Sequence, residues 1–178
     1  GLRTFISKRA PWLVVLFVGE LLTANVMQRY EHDLAVLVDL VIFIPLIMSS
    51  GGNSGSQSSS LIIRALAVNE VKPTDWVRIF GREAAIGLSL GALLASLGFA
   101  RAFFLQPGNS LQIGMAVGVS LLAVVTMGSL VGSLLPLAIK RVGLDPAVSS
   151  TPLIASLVDV LGLLVYLSIA RMIFTQML

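Results

Sequence analysis

Residues 102–139 read AFFLQPGNSLQIGMAVGVSLLAVVTMGSLVGSLLPLAI, and no side chain in these 38 positions ionises. A surface that faces water cannot be built from such a run. It is long enough for most of two membrane crossings joined by a turn, which Gln106-Pro107-Gly108-Asn109-Ser110 supplies. The rest of the chain has the same character. Hydrophobic residues make up 56% and charged residues 12% of 178 positions, where a soluble domain carries roughly a quarter charged residues. The sequence therefore predicts an all-α integral membrane fold. The absence of cysteine excludes a disulfide framework and a thiolate metal site. A net charge of +3 and a pI near 9.8 raise the question of nucleic acid. The basic residues, however, fall in short groups between apolar segments, as membrane orientation requires. The expected surroundings are a lipid bilayer, with no nucleic acid partner.

Working outward from that stretch, five transmembrane helices are expected. The first runs from about Pro11 to Met27, with Pro11 in the first helical turn and Trp12 as an interfacial anchor. The second begins at Leu34, meets Ser49–Ser60 (SSGGNSGSQSSS) and resumes as Leu61–Val68. The third covers about Arg82 to Ala100, introduced by Trp76. The fourth covers Leu111 to Ile139, and the fifth Ser149 to Ile173. Residues 1–178 read as one transmembrane ion-permeation domain, and the opening Gly-Leu-Arg reads as a cut from a longer protein.

Lys and Arg set the orientation. With the N-terminus in the cytoplasm, Arg3, Lys8, Arg9, Arg64, Lys72, Arg78, Arg82, Lys140 and Arg141 face inward. Only Arg29, Arg101 and Arg171 face out, a nine-to-three bias that places the C-terminus outside. Small residues four apart, at Gly87, Gly91 and Ala95, at Gly114 and Gly118, and at Gly128 and Gly132, allow close helix approach. That approach serves packing within one chain or a subunit interface.

Ionisable groups inside spans default to functional hypotheses. Asp159 lies roughly 13–15 Å from the cytoplasmic end of the fifth span, counted at the helical rise per residue. Glu20 lies at about the same depth in the first. The Gly51–Gln57 stretch, with its glycines, Asn53 and Gln57, is expected as a non-helical break, with Gly51–Asn53 sharing a cross-section with Asp159. Backbone of that kind is tolerated at depth only where protein buries it or a water-filled cavity receives it. Its freed carbonyls and amide oxygens are ligands for a hard cation. Ala155 lies one turn before Asp159, and Ser156 and Gly162 keep that neighbourhood small or polar, which suits water contact. Glu20 either lines the pathway or pairs with a polar group such as Asn53. Asp39 is near enough to the outer surface to be solvated. Asp145 before Pro146 fits the cap of the fifth helix and faces the cytoplasmic mouth.

Enzyme readings fail on chemistry. Gly52-Asn53-Ser54-Gly55 matches the G-x-S-G pattern of rhomboid-type intramembrane proteases. The one histidine, His32, sits in an outer turn far from Ser54, so the serine has no base. An aspartyl protease needs two carboxylates sharing a site, and Asp39 and Asp159 lie at different depths. A secondary transporter is the alternative transport reading, but one break and five spans do not form paired inverted repeats.

Gly51-Gly52-Asn53-Ser54-Gly55-Ser56-Gln57 at the inner end of a second span resembles the signature of the MgtE family of magnesium channels. So does Asp145-Pro146 leading to Asp159 in the fifth span. The resemblance implies a homodimer with one pore at the two-fold axis, lined mainly by the second and fifth helices and passing hydrated Mg²⁺ down its gradient. It implies that Asp159 of both subunits holds Mg²⁺, the carried and bound ion. Backbone carbonyls of Gly52 and Ala155 would help, and Asp145 would belong to a secondary site at the cytoplasmic mouth. It further implies a soluble N-terminal region with CBS domains, which senses intracellular magnesium and is not part of this sequence. Asn53 joins this ligand set from the residue reading, with Glu20 and Gln57 behind it. The expected location is the cell membrane, crossed several times.

Overall fold

The computed structural model describes residues 2–36, 38–105 and 110–175, so the turn expected at 106–109 lies outside the described residues. Helix α1 spans Leu2–Arg29, α2 Glu31–Val36, α3 Val38–Val41 and α4 Ile44–Ala67. A 3-10 turn at Pro73–Asp75 leads into α5 at Trp76–Leu105, followed by α6 at Ser110–Arg141 and α7 at Pro146–Ile173. Among the described residues, five stretches are long and apolar enough to cross a membrane. They are Arg9–Arg29, Val38–Ala67, Pro73–Phe104, Ser110–Arg141 and Pro152–Ile173. The all-helical, five-span reading therefore stands.

Two local expectations do not. Pro11 is inside α1 rather than at its start, because the helix reaches back to Leu2. A proline there removes a single backbone hydrogen bond, and Arg3 and Arg9 nearby keep that part of the helix close to water. The larger correction concerns Gly51–Gln57. That stretch is not a break; it lies wholly within the continuous helix α4. The interruption comes earlier, at Ile42 and Phe43, just ahead of Pro45, which lacks the N–H that would carry the helix through. The Leu40 carbonyl just ahead of it is buried and accepts both the Phe43 N–H at 3.1 Å and the Tyr166 hydroxyl of α7 at 2.8 Å. With no bulk water in the hydrocarbon core, such a bond is what makes an interrupted span tolerable.

The glycines of α4 serve packing instead. A Cβ on Gly128 of α6 would strike the Gly51 carbonyl, and one on Gly132 would strike the Gly55 carbonyl. The α4 and α6 backbones thus touch directly, which four-residue spacing of small residues permits. Gly87 and Gly91 of α5 seat in the same way on Thr126 and Leu122 of α6, and Gly114 on Phe99. The small-residue motifs therefore pack helices within one chain. This makes α6 the central helix, in contact with α4, α5 and α7, while α1 joins the bundle through α7. The main core gathers Ile44, Ile47, Val117, Leu121, Val124 and Leu163. A smaller one, Ile62, Leu66, Ile79 and Leu137, closes the end of the bundle where α4 stops and α5 begins. On α1, Leu13, Val14, Phe17, Val18, Leu21 and Leu22 are all exposed, as suits a face turned to lipid.

Candidate ion pathway

Helix α4 has two unlike faces. Gly51, Gly55, Ser58 and Ile62 are buried toward the bundle. Ser49, Asn53, Gln57 and Ser60 are exposed on the other side. Steps of three and four residues put these four on one stripe. In a segment that crosses a membrane, an exposed row of amides and hydroxyls is unfavourable against hydrocarbon and calls for water or protein. Some hydroxyls are already engaged: Ser50 donates to the Leu46 carbonyl at 2.7 Å and Ser60 to the Ser56 carbonyl at 2.8 Å. Bonds of this kind hold serines within a helix at little cost.

Asp159 of α7 is partly exposed and lies against α4. Its Oδ1 is 3.8 Å from the position a Cβ on Gly52 would take. Residue 52 has no side chain, so the carboxylate reaches the α4 backbone beside Asn53. The expected common cross-section of Gly52 and Asp159 is thus present. The Gly52 carbonyl is not a freed one, however. It lies inside α4, where helical bonding leaves only its second lone pair for an ion or its water. Ala155, also within a helix, is partly exposed one turn before Asp159.

Glu20 is exposed on α1 beside Gly19, whose own Cβ position is 3.3 Å from Cβ of Ser156 on α7. That contact lies one turn before Asp159 along α7. Among the described residues Glu20 and Asn53 do not pair; the Asn53 amide donates to Ser49 Oγ at 3.4 Å. Gln57 is exposed one turn beyond Asn53. Asp145 stands apart, immediately before α7 and about 21 Å along the axis from Asp159 at the helical rise. Among the described residues of one chain, no three His, Cys, Asp or Glu side chains converge to hold a metal ion.

One residue was not singled out from the sequence. Glu83 of α5 is 3% exposed, and its Oε2 accepts hydrogen bonds from Ser58 of α4 and Ser129 of α6, each at 2.9 Å. Its Oε1 accepts from Arg82 at 3.1 Å. The signal was present in the spacing: Glu83 is four residues before Gly87 and eight before Gly91, on the stripe that packs against α6.

The sequence model of the MgtE family, described as a divalent cation transporter, matches residues 44–169. The chain belongs to the MgtE family. It is 41% identical over 165 residues to the magnesium transporter MgtE of Thermus thermophilus. It is 34% identical over 166 residues to that of Enterococcus faecalis, and 33% over 163 residues to that of Bacillus subtilis. These alignments cover 92–93% of this chain and 36% of each relative, so the chain spans about a third of their length. The MgtE match runs from the start of α4 into α7. It contains the polar stripe, Glu83 and the contact between Gly52 and Asp159, and leaves Glu20 outside. With this membership and five spans, the chain is a multi-pass membrane protein.

Proposed function

We propose that this chain is the pore-bearing membrane part of a magnesium transporter, with two copies meeting at a two-fold axis along α4 and α7. The observation that carries the reading is the partly exposed Asp159 beside Gly52, continuous with the exposed stripe of Asn53 and Gln57. A stripe of that kind needs a wet, protein-walled surface, and two-fold symmetry would face it with its own copy. Symmetry also doubles each acid, which matters because, among the described residues, one chain brings only Asp159 and Glu20 to this depth.

Mg²⁺ demands near-octahedral oxygen ligation and loses its water reluctantly. Two Asp159 carboxylates cannot fill six positions. They can accept hydrogen bonds from the ion's own waters, while their charge offsets the loss of bulk solvation. The second lone pairs of the Gly52 and Ala155 carbonyls and the Asn53 amide oxygen would take further waters. Asp145 would gather cations at the cytoplasmic mouth. Passage is then channel-like, down the electrochemical gradient, and control by internal magnesium would belong to a CBS-containing region preceding this one.

The test is Mg²⁺ flux into liposomes holding this chain, with and without an imposed potential, alongside detergent-corrected mass. Flux that follows the potential without a co-substrate, through a dimer, supports the proposal. A conducting monomer, or flux that needs a second solute, overturns it.

A further inference from the structure

We propose that Glu83 is a positioning residue for the pathway, holding α4 at the rotation that turns Asn53 and Gln57 toward the ion. This rests on the pathway reading above. Glu83 touches no residue of the polar stripe. Its carboxylate is buried where three helices meet and receives one hydroxyl from α4, at Ser58, and one from α6, at Ser129. The two hydroxyl oxygens are also 3.1 Å apart. Each hydroxyl has a single proton. With both protons directed at Glu83, that short approach follows from a shared acceptor rather than from a bond between the serines. Arg82 supplies the countercharge from a side chain that is 55% exposed. A buried carboxylate is tolerable on these terms, with three donors and an opposite charge at the water's edge.

The location of this cluster gives it consequence. The α4–α6 contact is glycine against glycine, at Gly51 with Gly128 and Gly55 with Gly132. Glycine contacts set how close two helices come but give little directional hold, which falls to side chains: Val124 of α6 sits against Gly51, and Ser54 of α4 donates to the Val125 carbonyl of α6 at 3.0 Å. Ser58 lies three residues past Gly55 and adds a directional bond at the same seam. At about 100° per residue, Ser58 and Asn53 are about 140° apart around α4. Any rotation that loosens Ser58 from Glu83 therefore swings Asn53 and Gln57 by the same angle. Ion selectivity in pores depends on ligand placement at close quarters, so a carboxylate behind the helix acts on an ion it never meets.

Two serine variants separate positioning from plain stability. Ser58→Ala and Ser129→Ala each remove one hydroxyl from the same carboxylate oxygen, but only Ser58 is on α4. Both should lower the melting temperature in detergent. In liposomes containing the full chain, Ser58→Ala should raise half-saturating Mg²⁺ roughly two- to tenfold, the range that one lost hydrogen bond implies. It should also increase monovalent leak. Ser129→Ala should leave half-saturation and ion preference near wild type. Glu83→Gln should shift both readouts as Ser58→Ala does, and adding Ser58→Ala to it should bring little further change, as expected for coupled residues. Should Glu83→Gln fail to fold, the serine pair decides alone. Equal effects from the two serines, or effects confined to melting temperature and maximal flux, would overturn the proposal. Asp159→Asn is run in parallel: if it leaves divalent flux intact the pathway reading itself fails, whereas a damaged Asp159→Asn with equal serine variants sinks only the role of Glu83.

Discussion

The Asp159 carboxylate rests against the α4 backbone at Gly52, its Oδ1 3.8 Å from where a Cβ on residue 52 would stand. That distance is ordinary van der Waals contact, so a methyl group fits and a branched side chain does not. Gly52→Ala should keep the fold and gain about 0.5–1 kcal/mol, since glycine within a helix is less favourable than alanine. The added methyl should nevertheless displace water from the carboxylate and lower divalent flux, with Gly52→Val lowering it further. Thermal unfolding and liposome flux should thus move in opposite directions for Gly52→Ala. A loss of stability with flux unchanged would show that the space beside Asp159 has no part in permeation.

Gly132 faces Gly55 with no room for a Cβ, because the obstacle is the Gly55 backbone carbonyl rather than a side chain able to rotate away. Gly132→Ala should therefore force α4 and α6 apart and destabilise by about 1–3 kcal/mol, as overpacking does. Gly81→Ala is the control, since a Cβ there meets nothing within 4 Å. Melting temperatures in detergent should fall for the first variant and hold or rise for the second.

Tyr166 and Leu40 make a bond that the interruption before α4 requires. Tyr166→Phe removes the hydroxyl without changing the ring, and the Leu40 carbonyl keeps only the Phe43 N–H at 3.1 Å. The expected loss is about 0.5–1.5 kcal/mol, read as a lower melting temperature. Ion preference should be unchanged, because the bond lies away from Asn53 and Asp159.

The spans were legible because a crossing needs length and apolarity, and both are visible in runs such as 102–139. The depth match of Gly52 and Asp159 followed from counting residues at a fixed rise. The place of the interruption did not. Glycine and serine are poor helix formers on scales measured in water, and Gly51–Gln57 reads as a break on that ground. In a membrane the larger penalty is an unsatisfied backbone, so the helix persists and its glycines serve close contact. The true interruption at Ile42–Phe43 is apolar and contains no glycine; Pro45 alone announces it. Glu83 was hidden for another reason. Next to Arg82 at the start of a span it looks like a surface charge, and only the packing of α5 on α6 turns it inward.

The charge distribution predicts topology independently of packing. Nine Lys and Arg residues fall on the side of Gly1 and three on the other, which places the N-terminus in the cytoplasm and the C-terminal end outside. Single cysteines introduced at Ser7 and Thr175, both exposed, read this out in a chain that has no other cysteine. An impermeant thiol reagent applied to intact cells should modify Thr175→Cys and spare Ser7→Cys until the cells are opened. The reverse pattern would invert the map and put Asp145 at an outer mouth.

Asp159 should be the residue on which divalent passage depends most. It is an acid within a span, partly exposed, against a residue without a side chain, and beside the one polar stripe found on α4. Attraction between unit charges about 5 Å apart at an effective dielectric near 20 is about 3 kcal/mol, and it doubles for a divalent ion. Asp159→Asn preserves size and hydrogen bonding while removing that charge from both subunits of a dimer. Half-saturating Mg²⁺ should rise roughly tenfold or more, and monovalent ions should pass more easily, with dimer mass unchanged. Glu20→Gln should do less. Glu20 is on a helix joined to the bundle through α7, whereas Asp159 lies directly against Gly52 of α4. If Glu20→Gln abolished divalent flux while Asp159→Asn left flux and selectivity as they were, α1 would line the pathway and the assignment to α4 and α7 would be wrong.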